Sequence, residues 1–303
     1  MKHRYSIHSV IIALALGTCS SLLASEQTAS ATHNQSQARS SDPEALFQQA
    51  RALLHGDGVK KDAAQAFKLM QSSADLGHAD AMGGLGYFYS HGIGVAKDPE
   101  KAIDWFRKGA EKGSAKSQHN LGKSLIKSNG GNPDEQVVTE AVEWIRKAAE
   151  QKLPEANLSY ATYAYLGEKS VAQNYEIAAS HFQVAADQGL ADAQNYLGAM
   201  HENGQGMTVD NEQAIAWYRK AALQGHLRAQ ANLGRTIGTN NSDEKKQTEA
   251  LAWLSLAAQQ GDVSAEKCLT DVESSVTHEM RRQINAQIVD IRKQIKPNTK
   301  AEK

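Results

Sequence analysis

The chain has 303 residues, with 33 Lys and Arg against 34 Asp and Glu, a formal net charge of −1. That balance excludes a protein whose nucleic-acid affinity rests on a basic surface, because it has no cation excess to release counterions from phosphate. Ala supplies 46 residues, Pro 5 and aromatic residues 6% of the chain, which favours helices over a β-sandwich, and two Cys exclude a disulfide-dense scaffold.

Lys2 and Arg4 are the only Lys, Arg, Asp or Glu residues before Glu26. An apolar stretch from Val10 to Leu16 follows, then small residues up to Ala24 and Ser25. A basic start, a short apolar middle and a small-residue exit describe a secretory signal peptide over residues 1–25, cut after Ala24 or Ser25. The run is shorter than the ~18–20 residues that span a bilayer. The expected destination is the periplasm, with secretion or a lipid anchor at the envelope as alternatives. Leu16-Gly17-Thr18-Cys19 is similar to a bacterial lipobox except at Thr18, and it would make Cys19 the anchor. Without lipid there, membrane contact is transient and confined to the signal peptide. The exported chain keeps one Cys, Cys268, so it forms no internal disulfide, and its net charge is −3. Residues 26–43 are polar and of low complexity, too poor in apolar surface to offset the entropy of ordering, and are expected to form a disordered linker.

From residue 44 the chain repeats itself. Ala81, Ser117, Ala156, Ala193, Ala229 and Ala265 are spaced by 36 to 39 residues, and counting back from Ala81 gives Ala45. Four residues on from these positions stand Leu85, Leu121, Tyr160, Leu197 and Leu233, followed by Gly86, Gly122, Ala161, Gly198 and Gly234. Later in each unit come Trp105, Trp144, His181, Trp217 and Trp253, then an Ala pair or Gly-Ala, and usually a closing Gly. Each unit reads as two helices. In the second unit Leu85 and Tyr89 share a face of the first helix, expected from Ala81 to Ser90. Gly86 costs about 1 kcal/mol there relative to Ala, so its recurrence points to close helix approach. Gly92-Ile93-Gly94-Val95 ends the first helix, Asp98 caps the second with Pro99 at its first position, and Gly113 stops it. Asp62 and Asp210 take the place of Asp98. Ala102, Ile103, Phe106 and Ala110 form one apolar stripe. The Trp positions are expected to fill the gaps between successive pairs.

One such pair cannot bury its apolar face, whereas stacked pairs can. The boundaries expected are 45–80, 81–116, 117–155, 156–192, 193–228 and 229–264. Residues 265–296 form capping helices, the last of which carries Met280, Ile284, Ile288, Ile291 and Ile295 on one face and lies back over the final repeat. Residues 297–303 form a disordered tail.

The pattern A-x3-L-G-x2-Y, G-x-G-V-x2-D and A-x2-W-x2-K-A-A-x2-G resembles the Sel1-like repeat family, a relative of the tetratricopeptide repeats. Ala81 to Gly113 and Ala193 to Gly225 match it best, while the loops Gly130-Gly131-Asn132-Pro133, Gly167-Glu168-Lys169-Ser170 and Gly238 to Lys246 depart from it. The resemblance implies an all-α, right-handed α/α solenoid of about six Sel1-like helix pairs with a C-terminal capping helix. It also implies a non-catalytic adaptor that holds another protein in its concave groove, without a cofactor. Exported bacterial members are associated with envelope assembly and host-cell contact. By analogy with tetratricopeptide arrays, the residue after each L-G pair faces that groove, which gives Arg51, Tyr87, Lys123, Thr162, Ala199 and Arg235, with His119, Tyr165, Asn195 and Glu202 beside them. Leu85, Gly86, Trp105, Leu121, Trp144, Leu197, Gly198, Trp217, Leu233 and Trp253 are the expected repeat core.

Two alternatives compete. Tyr87 and Tyr165 with nearby amides would suit a cell-wall or carbohydrate-binding module. Ser124 to Lys127, Ser242 to Lys245 and Ser264 to Lys267 match the S-x-x-K of β-lactam-interacting hydrolases, but no S-D-N or K-T-G accompanies them. His55, His78, His91 and His226 recur with the unit rather than converging, and no metal-ligand spacing occurs, so no metal is expected. His181 replaces the repeat Trp and is read as a core histidine, and Cys268 as a buried structural thiol.

Overall fold

The computed structural model describes residues 42–128, 134–239 and 243–295. The signal peptide and Cys19, the linker up to residue 41, the Gly130–Pro133 loop, Ser242 and the 297–303 tail lie outside the described residues. Every described element is helical, and six antiparallel pairs follow one another. They are α1 (Pro43–His55) with α2 (Ala63–Asp75), α3 (Ala79–His91) with α4 (Pro99–Glu111), and α5 (Ala115–Lys127) with α6 (Glu135–Glu150). Then come α7 (Pro154–Leu166) with α8 (Tyr175–Asp187), α9 (Ala191–Asn203) with α10 (Asn211–Ala222), and α11 (Leu227–Thr239) with α12 (Glu244–Ala258). Helices α13 (Val263–Val272) and α14 (His278–Gln294) close the chain, with a 3-10 turn between them. The chain divides into two compact units at Gly113 and Ser114, so the first holds α1–α4 and the second α5–α14. Within each unit, every helix packs on its partner in the pair, and each second helix packs on the first helix of the next pair. That is the stacking rule of an α/α solenoid.

The helix starts are set by short polar side chains. Asp62, Asp98 and Asp210, all extended, accept the N–H groups of Gln65, Lys101 and Gln213 at 2.9–3.0 Å, as their spacing from the loop glycines leads one to expect. Asn174 does the same for Ile177. The expected linker ends earlier than residue 43, because Asp42 caps α1 and Pro43 is its first residue. The first helix of the second pair likewise starts at Ala79, two residues ahead of Ala81, on His78. Where the third repeat lacks its closing glycine, Lys152 takes the left-handed turn at φ 61°, and Lys169 and Ser170 do so in the irregular α7–α8 loop.

The recurrent glycine has a specific neighbour. A Cβ on Gly86 would lie 2.5 Å from the ring of Phe106, and one on Gly198 would lie 2.5 Å from the ring of Tyr218. Gly122 meets Ile145 and Gly234 meets Leu254 in the same way. The side chain seated on the glycine is therefore the residue after the repeat Trp, and it belongs to the same pair. The Trp residues serve the next level of packing. Trp217 joins the cluster built around Phe182, Ala185 and Leu197, and Trp253 joins the one around Tyr218 and Leu233. Trp105 and Trp144 remain half-buried. Lys108, Lys147 and Lys220, each three residues on, hold their ammonium groups 4.1, 4.3 and 3.6 Å from the ring centroids of Trp105, Trp144 and Trp217.

At the carboxyl end, α14 packs on α12 and buries Ile284, Ile288 and Ile291, with Met280 and Ile295 partly buried in the same core. Arg292 donates to Gln259 at 2.6 Å beside it. Cys268, expected to be buried, is only half-buried on α13, because just Ala265 of that helix is fully enclosed.

Successive pairs also lock through the loops. Gly94, at φ 66°, sits so close to the start of α2 that a Cβ would lie 2.2 Å from the Ala63 carbonyl oxygen. Gly206, at φ 70°, stands in the same relation to Tyr175 at the start of α8, 2.5 Å from its carbonyl oxygen. Gly58, at φ 71°, has nothing within 4 Å. Alanine at any of the three meets the left-handed penalty of about 1–2 kcal/mol. Only Gly94→Ala and Gly206→Ala also push two pairs apart, for about 1–3 kcal/mol more. Urea denaturation of Gly206→Ala beside Gly58→Ala is expected to show the larger loss at Gly206, and equal losses would mean that the loop does not clamp the pairs.

Candidate partner-binding face

The first helices carry the residues expected to meet a partner. In the first unit Arg51 on α1 is exposed, with its guanidinium 5.8 Å above the Phe47 ring and one N–H donated to Gln48. Tyr87 on α3 is 42% exposed, and its ring lies tilted by 32° against that of His91, with centroids 4.1 Å apart. Both present their ends to solvent.

In the second unit the expected residues part company. Lys123 on α5 is exposed. His119, one turn earlier, is buried, and its Nε2 lies 3.0 Å from Ser159 Oγ on α7. It ties two first helices together instead of projecting into a groove. Tyr165 is half-buried among Tyr175, Phe182 and Tyr196, and its hydroxyl donates to Gln205 at 2.8 Å. Asn195 accepts from Asn232 at 3.1 Å, between α9 and α11. Arg235 is exposed but paired with Glu202 at 3.3 Å, and Glu202 also accepts from the Tyr218 hydroxyl at 2.8 Å and from Thr236 at 3.1 Å. Burial and then the Glu202 hydrogen bond push the Tyr218 phenol well above its ordinary range, so it stays a donor. Thr162 bonds back to the Leu158 carbonyl on its own helix, and Ala199 is half-buried.

Two recurrent polar devices escaped the sequence reading. The first is the residue after the repeat Ala. Gln194 and Gln230 donate to the carbonyls of Ala186 and Ala222 at the end of the preceding second helix, and their oxygens accept from Gln224 and Gln260 at 2.8 and 2.7 Å. Gln118 accepts from Gln151 in the same manner, and Asn157 spans Ala149 and His181. Its signal was present as Ser117-Gln118, Ala193-Gln194 and Ala229-Gln230, at one offset. The second device is histidine as a cap. His78 Nδ1 accepts from the Ala81 N–H at 3.1 Å while Nε2 reaches Glu44 at 2.7 Å, and His226 does the same with Ala229 and Asp192 at 3.1 and 3.0 Å. Each joins the start of one first helix to the start of the previous one. His181, as expected of a core histidine, places Nδ1 2.7 Å from Asn157.

The S-x-x-K matches fall on separate elements, Ser124 and Lys127 at the end of α5 and Ser264 and Lys267 at the start of α13. Among the described residues no three His, Cys, Asp or Glu side chains come together as a metal site, and no helix is long and apolar enough to cross a membrane.

Burial lowers the pKa of His119 to about 4, with the nearby Lys123 ammonium adding to the effect and Glu155 opposing it. Burial also lowers those of His181 and His201. The unfolded chain therefore binds more protons than the folded one between its ordinary histidine value and pH 4. The stability these histidines contribute is full above pH 6.5, falls as pH drops through that window, and is gone below it. The His119 contribution is at most about 3 kcal/mol. Urea denaturation at stepped pH is expected to give a shallower slope for His119→Gln than for the parent, and parallel slopes would show that His119 is not buried as a neutral group.

The Sel1 repeat profile matches residues 43–78, 79–114, 115–153, 154–190, 191–226 and 227–262. No curated protein matches the chain by sequence. Among solved structures, it is similar to a protective antigen present in uropathogenic Escherichia coli strains and displaying an SLR fold, with 29% identity and a TM-score of 0.73 over 85% of this chain. The match spans 55% of that antigen's own length. It is also similar to a Sel1 repeat protein from Oxalobacter formigenes, with 31% identity and a TM-score of 0.63 over 73% of this chain and 89% of the other. Six matched repeats span most of the chain, and the chain belongs to the Sel1 repeat family, whose members are generally non-catalytic scaffolds for protein–protein interaction.

Proposed function

We propose that the protein is an exported, non-catalytic scaffold that holds a segment of another polypeptide against the exposed side of its first helices. The observation that carries this reading is the offset shared by Arg51, Tyr87 and Lys123. Each sits eight residues past the start of its Sel1 repeat, on a first helix, with its side chain exposed. Arginine and tyrosine anchor interfaces well, because they combine apolar contact area with directional hydrogen bonds. The cations favour an acidic, extended segment, whose carboxylates they attract before contact. The membrane-targeting pattern of residues 1–25 supports export to the cell envelope, with the periplasm as destination and envelope assembly or host-cell contact as the setting. The likeness to an E. coli protective antigen is in keeping with that setting.

Crosslinking in cells followed by mass spectrometry identifies the partner. With it in hand, Arg51→Glu in the first unit and Lys123→Glu in the second are each expected to weaken capture about tenfold or more. The thermal melt should not move, since neither side chain is buried. Arg235 is unsuited to charge reversal, because a carboxylate there would face Glu202. Capture unaltered by both variants would reject the first-helix face. For localisation, the intact mass of the protein in a periplasmic fraction is expected to correspond to a chain starting at Ser25 or Glu26. A mass that retained a diacylated Cys19 would place it on a lipid anchor instead, and a cytoplasmic chain retaining Lys2 and Arg4 would reject export.

A further inference from the structure

A cleft of about 400 Å³ opens in the second unit between α11, α12 and α13, walled by Leu251, Leu254, Val272 and Met280, with Arg235 and Asp271 at its edge. Its origin lies in the 36-residue repeat. One pair earlier, the equivalents of Gly234, Gly238 and Leu254 are Gly198, Glu202 and Tyr218. There the Tyr218 ring covers Gly198 and its hydroxyl donates to Glu202, so the space between α9, α10 and α11 is filled by the chain itself. Two pairs earlier the same positions hold Ala161, Tyr165 and Phe182, again with aromatic rings packed together at 6.2 Å. In the last pair Leu254 replaces the ring and Gly238 replaces the carboxylate side chain. A Cβ on Gly238 would touch only Ala250, at 3.5 Å. Two successive pairs thus fill this slot with an aromatic ring, whereas the last pair sets Leu254 on Gly234 and leaves the slot open beside Gly238.

We propose that this slot receives an aromatic side chain of the partner polypeptide, tyrosine above all. The inference rests on the scaffold reading and names the anchor residue of the bound segment. Leu251, Leu254, Val272 and Met280 supply the apolar walls that a ring needs. Asp271 stands where Arg235 stands one repeat earlier, so the acceptor for a phenol hydroxyl is a carboxylate on α13 in place of Glu202 on α9. An aromatic anchor in a pocket at one end of an otherwise polar face is how a few residues carry most of an interface's affinity.

The probe is p-cresol, the side chain of tyrosine, titrated into the methyl-labelled full chain. Saturable shifts are expected at the methyl groups of Leu251, Leu254, Val272 and Met280, with half-saturation on the order of 1 mM for so small a ligand. The double variant Gly238→Glu with Leu254→Tyr rebuilds the self-filled slot of the previous pair and is expected to abolish those shifts while raising the melting temperature. Absence of saturable shifts in the parent, or the same shifts in the folded double variant, would overturn the proposal. Cys268 lines the cleft and gives a readout that needs no variant. Saturating p-cresol is expected to slow its alkylation by iodoacetamide several-fold, and an unchanged rate would overturn the slot as well. Lys123→Glu, on α5, leaves the p-cresol shifts intact, so the scaffold reading and the slot fail on separate measurements.

Discussion

The close approach of two helices over a missing side chain holds each repeat together. A ring or branched side chain on the second helix lies directly on the glycine of the first, as Phe106 does on Gly86 and Tyr218 on Gly198. Glycine costs about 1 kcal/mol in a helix interior, while full burial of a large apolar side chain contributes roughly 1.5–3 kcal/mol. The balance favours the pair only if the ring is almost completely enclosed, and Tyr218 is 0% and Phe106 3% exposed. Once the helices are that close, the alanines beside them, such as Ala214, Ala221 and Ala222, form a shallow surface on which the next pair can settle. Larger residues there would hold the pairs apart, and the amide and loop contacts between pairs would not reach.

Those contacts compete with binding for the same face. A stacked array must satisfy buried backbone carbonyls at every junction, and the Gln194 and Gln230 amides do so while bonding onward to Gln224 and Gln260. His119, Asn195 and Arg235 face the first-helix side, yet each is engaged by a neighbouring first helix. A buried polar group left unpaired costs about 1–3 kcal/mol, so the array holds these partners before it can offer them to a ligand. A partner would therefore meet two kinds of surface, exposed cations and an aromatic at one offset, and polar residues already tied into the scaffold.

The fold was legible from spacing, because a repeat states its own solution several times. Leu85, Leu121, Leu197 and Leu233 are all fully buried, as the period required, and Asp98 caps α4 where the loop glycines placed it. The face was less legible. An offset taken along the chain specifies which side of a helix a residue is on, but not whether a neighbour reaches it first. His119 and Tyr165 lie one turn from the offset residues and are still packed, because Ser159, Gln205 and Tyr196 reach them from the following pair, which the offset does not describe. The amide bridges were missed for a related reason. Gln194 looks like any polar helix residue until the end of α8 is set against it.

The end of the array follows from the same rule. A stack of pairs always leaves its last apolar face without a successor, and that face must be covered. Here α14 does not serve as the second helix of a seventh pair. It lies on α12, and Ile284, Ile288 and Ile291 share a core with Trp253 and Leu256, where a seventh pair would otherwise have packed. The junction between α11 and α13 lacks the ring that fills the two junctions before it, and α14 reaches the cleft there only through Met280. The open slot comes from Leu254 and Gly238, which leave free the space that Tyr218 and Glu202 fill one pair earlier.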